Sequence, residues 1–347
     1  MMKKKLLATL LLGCIVSFSG LVQAGEVLYV PVSNALQIVD CSRNAVIETV
    51  PAYNDFIASA MYSPDGKRYY ACGWHSIYVF DTTTDKLVDT YNFSSELNRV
   101  TIGACAVSTD GSTLYIAASI VKRKQNIPRL NVLPPQIVAF DLKKREIIRS
   151  YEVPSAISGV FPIRKDPHHL ILLGLDVFKL DLRKGKVEKI MGMLNPDKGQ
   201  QEVRNIILNN TNSSPGDHGV LALPYYSTSQ AGIGMGYLII DTNTGKLSLL
   251  KGEDIWFEYS ARVSPDKKYI YAVLDELVKI DMKTGKTLKF TTADKGTYTA
   301  VAVSQDGKKI YAGPYGADIS IYDAESLKLI GVIPLEADGR VSTLISR

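Results

Sequence analysis

Residues 304–333 read SQDGKKIYAGPYGADISIYDAESLKLIGVI. A Ser-Gln-Asp-Gly turn opens the stretch, and an apolar run ending in Tyr-Ala follows. Small residues then interrupt, a second run ends in Tyr-Asp, and a polar turn leads into a third run. Asp-Gly turns flanked by β-branched and aromatic residues are hairpin signals. The stretch therefore predicts three antiparallel strands, and YTAVAVS (298–304) supplies a fourth just upstream.

The same order of events recurs along the chain. Aligning the aspartate that closes each third strand puts Asp40, Asp81, Asp141, Asp181, Asp241, Asp281 and Asp323 in register, spaced 41, 60, 40, 60, 40 and 42 residues apart. Polar turns follow these aspartates, as in TTTDK, TNTGK and MKTGK. Others precede the paired runs, as in SPDG (63–66), STDG (108–111), SPDK (264–267) and SQDG (304–307). Four strands in about 40 residues is the period of a propeller blade. The sequence thus predicts an all-β, seven-bladed β-propeller with four-stranded blades over residues 25–347. One blade cannot bury both of its faces, so neighbours must stack in a ring.

Closure of the ring is also readable. The first unit begins at LYVPVSN (28–34) without an inner strand, while RVSTLIS (340–346) is left over and matches YTAVAVS and EYSARVS (258–264). The C-terminal strand is expected to complete blade one. The two 60-residue spacings mark insertions at SIVKRKQNIPRLNVLPP (119–135), GMLNPDKGQQE (192–202) and STSQAGIGMG (227–236). In antiparallel wiring, second-to-third-strand loops and blade-to-blade connections share one face. The long loops are expected to gather there, and loops on a rigid scaffold are where binding concentrates.

Composition narrows the class. The 347 residues are 46% hydrophobic and 22% charged, as in a globular protein, and 19 Tyr against 9 Phe suits half-buried pleated surfaces. MMKKKLLATLLLGCIVSFSGLVQAGE has three lysines, an apolar core and a small-residue exit at Val22-Gln23-Ala24. It reads as a secretory signal peptide over residues 1–24, with a lipoprotein acylated at Cys14 as the alternative. No other segment has the roughly 18 apolar residues needed to span a bilayer. An exported, periplasmic protein without a membrane span is expected. Without the leader, Lys plus Arg falls from 40 to 37 against 35 acids, a net charge of +2. No basic cluster is interleaved with aromatics in the manner of nucleic-acid binding, and VKRKQNIPR (121–129) reads as a solvated loop. Cys41, Cys72 and Cys105 then remain. An odd count excludes a fully paired framework, and YYACGW and IGACAV read as apolar runs with buried cysteines.

No complete catalytic set is legible. His75 lies on the loop-bearing side, whereas His168, His169 and His218 lie at turns on the opposite side, so they do not converge on a metal or a nucleophile. There is no haem-attachment, nucleophile-elbow or phosphate-loop motif. The seven aspartates recur once per blade and read as turn residues that cap their own backbone. GIGMG (232–236) opens no helix, so it is not a dinucleotide loop. Aromatic residues remain: Tyr225 and Tyr226 in LPYYSTS, and Trp256, Phe257 and Tyr259 in DIWFEYS. Two readings stay open for them, blade-to-blade packing and a pocket-facing or partner-facing surface.

The mature chain resembles the β subunits of quinohemoprotein amine dehydrogenases, which are periplasmic YVTN-type propellers. LPPQIVAFDLKKREIIRSYEVP, GVLALPYYSTS with GYLIIDTNTGKLSLL, DIWFEYSARVSPDKK and SQDGKKIYAGPYGADISIYDAESLKLIG carry the likeness. The resemblance implies a three-subunit enzyme that oxidises primary amines to aldehydes and ammonia. Cysteine tryptophylquinone would reside in a small γ subunit and two c-type haems in an α subunit, with no cofactor in this chain. Electrons would leave to a copper protein or cytochrome. The propeller would be a non-catalytic scaffold that docks the other subunits and helps wall the quinone pocket. The alternatives are a stand-alone lactonase-like enzyme and an extracellular binding or adhesion propeller.

Overall fold

A computed structural model describes residues 26–123, 129–207, 218–294, 296–340, 345 and 346. The expected leader with Cys14 lies outside these residues, as do Lys124 and Gln125 of the basic run. Every regular element among the described residues is a strand, and no helix there is long and apolar enough to cross a membrane.

The strands form seven antiparallel blades. Blade two runs Ile57–Tyr62, Arg68–Gly73, Ser76–Asp81 and Lys86–Asn92 from the inner strand outward. Blade six repeats that order with Glu258–Val263, Tyr269–Leu274, Glu276–Asp281 and Thr287–Thr292. In blade seven the second and third strands form one continuous extended run, Lys309–Asp323. That run must double back. The Ala324 N–H donates to the Lys308 carbonyl at 2.9 Å, as Met282 does to Lys268 in blade six. Fifteen residues in a straight strand would span roughly 50 Å.

The chain ends meet in blade one. Ile345–Ser346 pairs antiparallel with Val27–Val32, placing Ser346 opposite Leu28 and Ile345 opposite Tyr29. In the described residues, the C-terminal strand therefore completes the first blade. Glu26 adds a second fastening, since its carboxylate accepts the Gln305 N–H at 3.0 Å and lies 3.1 Å from the Tyr311 hydroxyl of blade seven.

The core lies between blades. Leu28, Val30 and Val39 of blade one pack with Ala300, Tyr311 and Ile319 of blade seven. Blades one and two share Tyr29, Tyr62, Tyr69 and Phe80, and a larger cluster runs from blade two through blade four. Further clusters join four to five, five to six and six to seven. Each junction buries apolar area contributed by both neighbours, so no blade is stable alone.

Each third strand ends at one of the seven aspartates. Asp81 Oδ1 accepts the N–H groups of Thr83 at 2.9 Å and Thr84 at 3.0 Å. The other six cap their own turns with the same atom. Four residues on, the backbone enters the left-handed region at Asn44, Asp85, Arg145, Gly185, Gly245, Gly285 and Leu327. These carboxylates are structural, as their recurrence implies.

One expectation needs correction. Cys72 and Cys105 are buried but are not separate apolar side chains, because they form a disulfide between blades two and three. Cys41 is free and buried. The blade-five connection from Val203–Ile206 to Val220–Ser229 includes residues 208–217, which lie outside the described residues.

Candidate functional site

Exposed apolar side chains divide sharply between the two faces. Trp74, Leu97, Leu130, Val132, Leu175, Leu194, Ile233, Ile255 and Phe257 are all exposed. Every one sits in a second-to-third-strand loop, the blade-three excursion or a blade-to-blade connection. The remaining exposed large hydrophobics, from Ile47 to Ile330, lie on outer strands. Among the described residues, none lies in the turns of the other face. Singly exposed apolar residues are ordinary on a protein surface, and a contiguous patch is what signals contact.

Blades five and six hold the predicted aromatic residues. The structure separates Tyr225 from the rest. Its ring is buried toward blade four beside Met193 and Ile206, with the Arg204 guanidinium 5.9 Å from its centre. Gly236 stands opposite Tyr225, and a Cβ there would meet the Tyr225 hydroxyl at 2.6 Å and the Leu250 carbonyl at 2.3 Å. The last glycine of GIGMG thus serves close packing.

Tyr226, Trp256 and Phe257 come together on the other side of the same strand. The Tyr226 hydroxyl lies 3.0 Å from the Trp256 carbonyl and accepts the Glu258 N–H. Its ring is 6.0 Å from that of Phe257, which is 71% exposed. Trp256 is anchored. Its indole N–H donates to Thr287 Oγ1 at 3.0 Å, its backbone N–H meets the Met235 sulfur at 2.9 Å, and its ring lies 4.7 Å from Phe290. Tyr259 is half-buried and is the extra residue of a bulge, because pairing shifts between Glu258 and Ser260. The inner strands of blades two, three and seven carry the same bulge, which bends each strand as it leaves the loop-bearing face.

Sequence reading passed over Glu258, at the centre of this group. Its side chain is 3% exposed, and the Tyr237 hydroxyl is 2.6 Å from both carboxyl oxygens. Burial pushes the carboxyl up to about 8, and the Tyr237 hydrogen bond offsets only part of that rise. The signal was available in the repeat, since EYSARVS aligned with YTAVAVS puts Glu258 at the place of Tyr298. Ile57 and Ile102 hold it in blades two and three. A second buried carboxylate, Asp176, fastens the blade-four-to-five connection. It accepts the N–H of Met193 at 2.8 Å and that of Asn195 at 3.0 Å, as well as the Asn195 amide at 2.9 Å.

The histidines lie apart. His75 is held between the Val100 carbonyl and Arg99, each at 3.1 Å, while His169 is 2.8 Å from Asp166. Among the described residues, no three His, Cys, Asp or Glu side chains form a group able to hold a metal ion. Glu258 is sealed from solvent, while Phe257 beside it is exposed.

The fold is a seven-bladed β-propeller. No protein-family model and no curated protein matches the sequence. Among solved structures, the chain is similar to Kuenenia stuttgartiensis hydrazine synthase, with a TM-score of 0.55 and 17% identity over 88% of this chain and 90% of that one. It is also similar to the dihydro-heme d1 dehydrogenase NirN, with a TM-score of 0.56 and 14% identity over 93% of this chain and 75% of that one. At such identities the likeness is one of fold.

Proposed function

We propose that this chain is a non-catalytic scaffold subunit of a periplasmic amine dehydrogenase of the quinohemoprotein class. It docks a haem-c subunit and a small subunit bearing cysteine tryptophylquinone, and helps wall the pocket where primary amines are oxidised. The observation that carries the reading is the gathering of exposed apolar side chains on the loop-bearing face. Partner surfaces of this kind concentrate binding energy in aromatic anchors, and Phe257 and Trp74 fit that role. The sequence segments that resemble amine dehydrogenase β subunits supply the partners' identity. The Cys72–Cys105 disulfide accords with export to an oxidising compartment. One structural neighbour is a dihydro-heme d1 dehydrogenase, which accords with a place in haem-linked oxidation.

Purification from the native host tests this directly. Native mass spectrometry should give a complex with two further polypeptides, and its absorption spectrum should contain haem c and quinone bands. A colourless monomer would overturn the reading and favour a stand-alone binding propeller.

A further inference from the structure

The junction between blades five and six differs from its counterparts at one pair of positions. Ile77 and Ile102 belong to one apolar cluster between blades two and three, and Leu277 and Tyr298 to another between six and seven. The repeat places Tyr237 and Glu258 at these positions between blades five and six. Two side chains from different blades have thus become polar together, and they meet at 2.6 Å. One hydroxyl satisfies few of the acceptor positions of a carboxylate. A buried carboxylate without a cation is strongly disfavoured in its charged form. The titratable groups facing Glu258 are Tyr237 on Gly232–Asp241 and Tyr226 on Val220–Ser229. Among the described residues it has no ion-pair partner.

We propose that the Tyr237–Glu258 pair is a pH-gated latch between blades five and six, seating the Trp256–Phe257 rim while the carboxyl keeps its proton and releasing it when the proton is lost to solvent. The local geometry supplies the coupling. Glu258 is the first residue of its strand, so only the loop-side end must move to bring an ionised carboxylate to water. Its backbone N–H and the Trp256 carbonyl share the Tyr226 hydroxyl, so moving Glu258 strips that hydroxyl of a partner and loosens Trp256. Phe257 lies between them and must follow. Burial sets the carboxyl near 8, within reach of mildly alkaline conditions. The latch belongs to this chain alone and does not depend on which subunits dock on it.

Trp74 and Trp256 are the only two tryptophans, so W74F makes the emission of the intact protein report on Trp256. Its emission, followed reversibly from pH 6 to 9.5, should show a one-proton transition centred near 8. Glu258→Gln should abolish the transition. Tyr237→Phe keeps the acid but removes the hydrogen bond that lowers its pKa, so the midpoint should move to higher pH. A flat profile in the W74F protein, a transition surviving in E258Q, or an unmoved midpoint in Y237F would each overturn the latch. If E258Q does not fold, the Y237F shift decides the matter by itself.

Discussion

Cys72 in the second strand of blade two is bonded to Cys105 in the inner strand of blade three, with their α-carbons 6.7 Å apart. The bond adds a covalent link between two blades that also meet through side-chain packing and a hydrogen bond from the Ile102 N–H to the Trp74 carbonyl. With the two cysteines 33 positions apart in sequence, loop-closure entropy gives it about 3–4 kcal/mol. Replacing both cysteines with serine should lower unfolding stability by about that amount in denaturant titrations. An unchanged midpoint would show that the staple contributes nothing to closure.

Removing residues 341–347 deletes the inner strand of blade one and leaves Leu28 and Tyr29 without their described partners. Each ladder hydrogen bond is worth about 1 kcal/mol net, against a total stability of about 5–15 kcal/mol for a domain. Loss of cooperative thermal unfolding, or a much lower midpoint, is expected by calorimetry.

Asp176→Ala leaves the Met193 and Asn195 N–H groups without their acceptor. The Met193 N–H is buried, and orphaning a buried donor costs about 1–3 kcal/mol, so a loss of about 2 kcal/mol is expected. Hydrogen–deuterium exchange should quicken in residues 192–202 and not in blade two. Uniform exchange across the ring would argue against a local anchor.

Phe257→Asp should weaken capture of the proposed partner subunits at least tenfold, a change of about 1.4 kcal/mol, without altering the thermal midpoint. The same change at Ile147, exposed on an outer strand, should do much less to binding. Equal effects at both sites would remove the distinction between the loop-bearing face and the rim.

Acid should unfold the protein through its turns. Ser63, Ser108, Ser264 and Ser304 donate to Asp65, Asp110, Asp266 and Asp306, and these bonds hold the four carboxyls below their ordinary value of 3.8. A lowered folded pKa gives stability that is present above 3.8 and lost as pH falls through the folded values. Glu258 acts with the opposite sign, because its folded pKa is raised from 4.5 to about 8. Its contribution is full below 4.5 and declines as pH rises toward 8. The thermal midpoint should therefore drop steeply below pH 4, and E258Q should flatten the gentler decline above pH 5. A midpoint level from pH 7 down to pH 2 would contradict this account.

The ring was legible because its information is local and repeated. Asp40 to Asp323 each close a strand and cap a turn, so seven weak signals fall in one register. The insertions at 119–135 and 227–236 were also visible, as excesses over that register. What escaped depends on which blades touch. Nothing in YYACGW or IGACAV says that Cys72 faces Cys105, since the pairing is set by ring geometry. Glu258 was passed over beside Trp256 and Phe257, although the aligned Ile57 and Ile102 mark it as a charge in an apolar place. Tyr225 and Tyr226 looked equivalent in LPYYSTS, but strand alternation sends them into different junctions.

The strand that completes blade one is made from residues that follow all the others. While the chain is being synthesised, Val27–Val32 carries a bare hydrogen-bonding edge until almost the last residues are made. Bare edges invite pairing with any passing strand. The ring therefore cannot finish folding vectorially, blade by blade. Its final lock arrives only when the C-terminal strand emerges, so that first edge stays open to other chains until then.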